Sequence, residues 1–389
     1  MGFIEDLIQF IPGSPFEETP WDKLEPLFAA SCFPDMKCTP QNPAFHREGD
    51  VYTHTQMVCG ELVKIQAFHE LKSRQKAELF LAAILHDIGK VKTTRMENGN
   101  LTSPHHASTG SRIVREFLWR DCGLCGTKEL LTFRETVCAL VRYHMLPVHL
   151  TDQSHPERRA RVTAAVGELA EDFSWEMLCM LADADVKGRI AEDTEDLLSQ
   201  VHLSRMLAED AGCFHGPYLF ADGFAKHAYL NGRNVQPDQI LYDGTWGEVI
   251  MLSGLPGTGK DTWIRRNHPD MPVVSPDGLR NELDISPGDN QGRIIQAAQQ
   301  QAREYLRRKQ PFIWNATDLT GEMRHQLTAL FEQYGARVRI IYLETSWESR
   351  IARNSGRNEK VPETAVEKML GKLFPPMPEE AMFVEWICI

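Results

Sequence analysis

The sequence predicts two domains of different class: an all-α unit, then an α/β unit built on a parallel sheet. Three observations predict this. Residues 21 to 206 carry apolar stripes at helical spacing, a turn-rich stretch follows, and strands alternate with helices from residue 248 onward. A chain of 389 residues is long enough for two cores. The expected domains are 1–240 and 241–389, with the boundary near residues 235 to 245.

The helical part rests on segments such as "AELFLAAILHDI", "ASTGSRIVREFLWR" and "SWEMLCMLADADVKGRI". Gly89 is placed to terminate the first of these helices. "NGRNVQPDQILYDGTWG" clusters Asn, Gly, Pro and Asp as a linker does. "EVIMLSG" then reads as a strand running into a glycine loop and a helix. "MPVVS", "PFIWNAT" and "RVRIIYLE" read as further strands, separated by "QGRIIQAAQQQAREYLRRK" and "TGEMRHQLTALFEQYG" as helices. That alternation requires a parallel sheet covered on both faces.

Charge and cysteine usage narrow the function classes. The net charge is -12, and from residue 245 onward 18 Lys and Arg face 19 acids, so the preceding part holds -11. A broad electrostatic grip on nucleic acid is excluded, and phosphate binding must come from local clusters. Nine scattered cysteines point to reduced thiols, and the lone CxxC of Cys122 and Cys125 lacks the second pair a structural zinc needs. No apolar run reaches the roughly eighteen residues of a membrane span, and the first twenty residues carry acids. A soluble, cytoplasmic protein is expected.

The clearest motif is "GLPGTGKDT". Gly254, Gly257 and Gly259 let backbone N–H groups turn inward around phosphates, Thr258 lies within the loop, and Lys260 supplies a cation for the β and γ phosphates. Asp261 stands where the pattern asks for Ser or Thr. Its carboxylate reaches Mg²⁺ directly or through water, or the neighbouring Thr262 hydroxyl substitutes. Downstream, "SPDGLR" sets Asp277 and Arg280 just beyond a strand, at the end of the sheet where ligands of such folds bind. Asp277 is the candidate base or, alternatively, a helix N-cap. "SRIARNSGRNEKVP" offers Arg350, Arg353 and Arg357, with the last two four apart.

In this order the motifs "GLPGTGKDT", "SPDGLR", "WNATDL" and "RNSGR" followed by "VP" resemble the 5′-hydroxyl polynucleotide kinase family across nearly all of residues 247 to 389. The resemblance implies ATP or another NTP as donor, with Mg²⁺. It makes Lys260 the donor-phosphate contact, Asp277 the general base, Arg280 the acceptor contact, and Arg353 and Arg357 parts of a lid. Asp318 becomes a candidate for nucleotide or lid positioning. The departure is Asp261.

In the N-terminal part, His54 in "VYTHT", His86 and Asp87 in "LHDIGK", His106 in "SPHHASTG", His144 in "LVRYHMLP" and Asp185 in "LADADVKGR" each lie in or beside a helical segment. Imidazole and carboxylate together suit Mn, Fe, Co, Ni or Zn. Lys90 and Arg189 are placed to neutralise a substrate phosphate. His46 in "FHREGD" is either a support for the ligands or a surface residue.

This order resembles the HD phosphohydrolase superfamily over about residues 40 to 200, including its subset with two added histidines and a two-metal centre. His54, His86, Asp87 and Asp185 match the basic set, with Asp87 as bridge, and His106 and His144 match the added pair. His105 and Asp183 are the neighbouring alternatives to His106 and Asp185.

An HD domain followed by a kinase domain resembles the bacterial HD-Pnk family of end-healing enzymes. The resemblance implies hydrolysis of 2′,3′-cyclic phosphate and 2′-phosphate ends, phosphorylation of 5′-OH ends of RNA or DNA, and functional coupling to a ligase. Two other readings stand beside it: a nucleotide-pool enzyme joining a nucleotidase to a small-molecule kinase, and a non-catalytic sensor of nucleotide and metal.

Overall fold

The computed structural model describes residues 2–282, 291–357 and 360–389. The chain divides into two compact units, one of residues 1–124 and 129–218, the other of residues 125–128 and 219–389. Among the described residues, no helix is long and apolar enough to cross a membrane.

The first unit is helical, and five of its helices position the chemistry: α1 (Val51–Lys64), α2 (Ser73–Leu85), α3 (His106–Glu116), α4 (Lys128–Tyr143) and α5 (Trp175–Lys187). Asp50 starts α1 by accepting a hydrogen bond from the Thr53 amide at 2.8 Å, a cap worth roughly 1 kcal/mol. α2 is buried on all sides from Ala77 to Leu85, because a helix that is apolar all round finds no favourable place at the surface. It is the central post of the unit, and its end delivers His86 and Asp87.

The helical expectation misses one small feature. β1 (Arg95–Glu97) and β2 (Asn100–Thr102) form an antiparallel hairpin. Asn98 and Gly99 link them with φ of 52° and 80°, the left-handed turn that an Asn-Gly pair favours in hairpins.

The second unit begins upstream of residue 241. A helix, α6 (Gly223–Leu230), belongs to it, tied by a 2.6 Å bond between His227 Nε2 and Glu332 Oε1. The turn-rich stretch after it has no helix or strand up to residue 247. The sheet contains β3 (Glu248–Ser253), β4 (Val273–Val274), β5 (Phe312–Asn315), β6 (Arg337–Glu344) and β7 (Phe383–Cys388). All pairings are parallel, in the order β4-β5-β3-β6-β7. The fold class is therefore an all-α unit followed by a parallel α/β unit, as the sequence predicts. β7 is the strand the sequence reading lacks. "FVEWIC" has no glycine loop or following helix to advertise it, and its register against β6 is set by pairs such as Ile340 with Val384.

β3 alternates its side chains between two cores. Val249 and Met251 pack with Ala298, Leu306, Trp314 and Phe331 on one face, and Ile250 and Leu252 pack with Ile264, Ile341 and Leu343 on the other. A strand buried on both faces reads as a continuous apolar run, which is why "VIML" shows no alternation. The carboxyl ends of β3 and β5 then meet α7 (Lys260–Asn267), the helix that begins at the phosphate loop.

Candidate active sites

In the first unit, each candidate imidazole is held by its back nitrogen. The Nδ1–H of His54, His86, His106 and His144 donates to the backbone carbonyls of Gly188, Ala83, Ser103 and Val141 at 3.1, 2.8, 3.0 and 2.7 Å. A carbonyl only accepts, so each Nδ1 carries a proton and each Nε2 faces inward, where it could ligate a metal. His86 and His144 lie just past the ends of α2 and α4, where the helix turn itself supplies those carbonyls three residues back.

Asp87 sits between two histidine pairs. Its Oδ1 lies 3.4 Å from His106 Nε2 and 3.9 Å from His144 Nε2, while its Oδ2 lies 3.3 Å from His86 Nε2 and 3.7 Å from His54 Nε2. One oxygen therefore faces each pair. Asp185 adds a carboxylate oxygen 3.0 Å from His54 Nε2.

The donor set fits divalent cations. His106 and His144 bring their Nε2 atoms within 3.4 Å of one another, and burial together with the neighbouring histidines pushes the His144 pKa down to about 3. Two neutral rings that both carry their proton on Nδ1 turn lone pairs toward each other there, an arrangement that a cation makes favourable. Asp87 Oδ1 is buried without a hydrogen-bond partner, which is a second sign of a missing positive charge. Lys90 adds positive charge on the other oxygen, its Nζ lying 2.7 Å from Asp87 Oδ2. Burial opposes ionisation of Asp87, yet Lys90 and His86 hold its carboxyl well below the usual range. For His54, burial is outweighed by hydrogen bonds to Asp185 and Glu48, which lift it to about 9.

A cavity of about 340 Å³ opens beside this cluster, lined among others by His46, Asp87, Lys90, His106, Asp185 and Arg189. Both expected phosphate cations, Lys90 and Arg189, are thus in its wall. Lys90 also donates to Gln41 Oε1 at 2.7 Å.

The neighbouring alternatives separate clearly. His105 is exposed with φ 56° ahead of α3, while Asp183 is raised by burial near Lys187 and Arg205, away from the histidines. Gly89 does not terminate a helix through a left-handed turn, since its φ is -65°. A Cβ there would lie 2.0 Å from the His106 carbonyl oxygen and 2.6 Å from the Gly110 amide. Gly89 is glycine so that α3 can bring His106 against Asp87. Neither Cys122 nor Cys125 is in a disulfide.

In the second unit, Gly254 has φ 144°, and a Cβ there would meet the Leu343 carbonyl at 2.4 Å. Only glycine carries the chain from β3 into the loop at this point. The Thr258 hydroxyl donates inward to the Leu255 carbonyl at 2.9 Å and is fully buried, so this side chain braces the loop instead of facing the cavity. Lys260 folds back, donating to the Gly254 and Leu255 carbonyls at 2.8 and 3.0 Å. Burial lowers its pKa to about 8, with Asp261 opposing the shift.

A cavity of about 430 Å³ collects Gly257, Gly259, Lys260, Asp261, Thr262, Asp277, Arg353 and Arg357 in its wall. Ser275 starts α8 (Pro276–Glu282), its Oγ accepting from the Gly278 amide at 3.2 Å. Asp277 is therefore not the helix cap. Its carboxylate is free to face the cavity and pairs with Arg280 at 2.5 Å.

Three sequence assignments take a different place. Arg280 holds Asp277 and is not in the cavity wall. Asp318 lies behind the loop, 2% exposed, with φ 39° and Oδ2 lacking a partner, so it supports the loop instead of touching substrate. Burial raises its pKa to about 7 against the pull of Arg324. Arg350 is fully buried in α9 (Trp347–Ser355), paired with Glu363 at 2.5 Å and stacked 4.1 Å from the Trp347 ring, which makes it structural.

Sequence reading missed Glu48, Arg265 and Asn315. Arg265 lines the same cavity and donates to the Thr262 hydroxyl at 3.2 Å; its spacing of four from Asp261 on one helix was a usable signal. Asn315 donates to Asp261 and comes from β5, so no local spacing could reveal it. Residues 51–175 match the HD domain family and residues 249–376 match the AAA domain family, so the chain joins an HD hydrolase domain to a P-loop kinase-like domain, a pairing that supports a hydrolase and a kinase in one polypeptide.

Proposed function

We propose that the protein heals nucleic-acid ends, its second unit phosphorylating 5′-OH termini with an NTP and its first unit removing phosphate from 2′,3′-cyclic phosphate and 2′-phosphate termini. The observation that carries the reading is a shared wall: Asp277, Lys260, Arg353 and Arg357 surround one open cavity. A base for an acceptor hydroxyl and cations for a transferring phosphoryl group are needed together, and they are together.

Lys260 moves from the loop carbonyls to the donor phosphates, and Arg353 and Arg357 neutralise charge on the transferred group. Asp277, held at the cavity wall by Arg280, takes the acceptor proton. Asp261, oriented by Asn315, would hold Mg²⁺ in place of the usual hydroxyl. In the first unit His54, His86, Asp87, His106, His144 and Asp185 would hold two divalent ions of the Mn, Fe, Co, Ni or Zn type. When bound, such ions would supply the Lewis acidity that activates a hydrolytic water. Lys90 and Arg189 orient the phosphoryl oxygens in the adjoining cavity.

The test is one RNA carrying a 5′-OH and a 2′,3′-cyclic phosphate, incubated with ATP, Mg²⁺ and Mn²⁺, with both ends analysed. Unchanged ends would defeat the reading. The nucleotide-pool enzyme is the second reading, favoured by the net charge of -12, which repels a long polyanion. Turnover of free nucleosides in preference to a 5′-OH oligonucleotide would select it.

A further inference from the structure

A buried carboxylate lies just outside the histidine cluster, with no place in the chemistry so far. Glu48 is 1% exposed at its side chain. Its Oε1 accepts from His46 Nδ1 at 2.8 Å and lies 3.1 Å from His54 Nδ1, and its Oε2 accepts from the Ile190 amide at 3.0 Å. The Arg47 amide donates back to the Ile190 carbonyl at 3.1 Å. The loop ahead of α1 is thereby buttoned to the chain just beyond Asp185 and Arg189.

Two rings are oriented by this one group. The His46 and His54 rings meet edge to face, with centroids 4.8 Å apart. His54 Nδ1 lies 3.1 Å from both Glu48 Oε1 and the Gly188 carbonyl, and the ring so held presents Nε2 to Asp87 and Asp185. His46 donates its Nδ1–H to Glu48 and lines the cavity that also holds Lys90 and Arg189. The Nε2 of such a ring carries a lone pair. Lys90 and Arg189 supply donors to phosphoryl oxygens, whereas a lone pair beside them matches a donor on the substrate, namely a hydroxyl next to the phosphate.

We propose that Glu48 is a positioning residue that locks His54 for the metal and His46 as the acceptor of a hydroxyl vicinal to the substrate phosphate. The inference rests on the first unit acting on 2′-phosphate ends, whose 3′-hydroxyl is vicinal to the phosphate, and it adds a determinant for that step and not for opening of the cyclic phosphate, which has no such hydroxyl. Its sequence trace is "HREGDVYTH", in which nothing but the fold brings Glu48 under both rings.

The experiment measures binding by calorimetry on the full-length protein, so turnover is not required. The probes are Mn²⁺ alone and, on Mn²⁺-loaded protein, adenosine 2′-monophosphate against its 3′-deoxy analogue. The wild type should prefer the hydroxyl-bearing compound by about tenfold, the worth of one hydrogen bond. His46→Ala should erase that preference while leaving Mn²⁺ affinity unchanged. Glu48→Ala should erase it and also weaken Mn²⁺ binding by about 10–100-fold, as loss of a group that orients a ligand does. Glu48→Gln keeps one acceptor oxygen, which cannot serve both the rings and the Ile190 amide, so it should weaken both effects by less than Glu48→Ala does. Wild-type Mn²⁺ affinity in Glu48→Ala, or an undiminished hydroxyl preference in His46→Ala, overturns the proposal. Should Glu48→Ala fail to fold, Glu48→Gln and His46→Ala still decide it. Failure to hydrolyse RNA ends, with these binding results intact, would overturn the end-healing reading alone.

Discussion

Asn315 Nδ2 donates to Asp261 Oδ1 at 2.7 Å, so a residue ending β5 grips the one letter of the phosphate loop that departs from its pattern. One carboxylate oxygen is engaged by the amide, which orients the group in the cavity wall beside Lys260. Asp261→Ser should keep kinase activity because a hydroxyl also reaches Mg²⁺, while Asp261→Ala should lose at least tenfold in kcat. Asn315→Ala should raise the Mg²⁺ concentration for half-maximal rate and leave saturated kcat nearly unchanged. Titrating Mg²⁺ at fixed ATP checks all three, and an unaffected Asp261→Ala enzyme would remove this residue from metal binding.

Lys260 is tied to two carbonyls and has a pKa of about 8 before nucleotide arrives. Phosphates favour its charged form, so nucleotide binding at pH 8 should take up roughly half a proton. At pH 6 the lysine is already charged and the uptake should vanish. Calorimetry in buffers of different ionisation enthalpy reads this directly. Lys260→Ala should abolish the uptake and lower kinase kcat by about 10²–10³.

Asp318 predicts a stability effect of definite sign. Burial raises its carboxyl from 3.8 to about 7 in the fold, so the native chain binds this proton more tightly than the unfolded chain. Its contribution therefore worsens as pH climbs from about 4 to 7, and the cost is complete above 7. Asp318→Asn should raise stability by roughly 1–3 kcal/mol at pH 8 and much less at pH 4. Thermal melting at the two pH values measures it. Kinase activity should fall in the same variant if the loop needs the carboxylate beside Lys260.

Gly89→Ala should inactivate the first unit without touching a ligand. The added methyl would lie 2.0 Å from the His106 carbonyl, and backbone atoms cannot yield as a side chain can. Displacing α3 carries His106 away from Asp87. A phosphoesterase loss of at least a hundredfold, with a melting temperature several degrees lower, is the expected outcome. Wild-type Mn²⁺ binding in this variant would count against the assigned pair of His106 and His144.

The two activities should be separable, because each cavity draws its wall from a single unit. Asp87→Ala should end phosphate release while kinase activity persists, and Asp277→Ala should do the reverse. End analysis of one doubly tagged RNA reports both. Loss of both activities in a folded Asp87→Ala protein would mean a composite site.

By itself the sequence determined the class of each unit and singled out most of the charged and histidine residues that the structure gathers around the two cavities. These signals are local: apolar spacing along α2 and β3, three glycines followed by Lys260, and His86 next to Asp87, all set by neighbours a turn or a loop away. Even "RMENGNLT" carried its hairpin signal openly in Asn98 and Gly99. Only the tertiary structure decided what each residue faces. Asp277 is released from capping because Ser275 takes that work, Arg350 is withdrawn into a stack with Trp347, and Asp318 is sealed behind the loop. Glu48 under His54 and Ile190, and Asn315 across from Asp261, are contacts between segments far apart in the chain. Such pairs leave no periodicity to read, since their geometry is set by how helices and strands pack and not by the residues beside them.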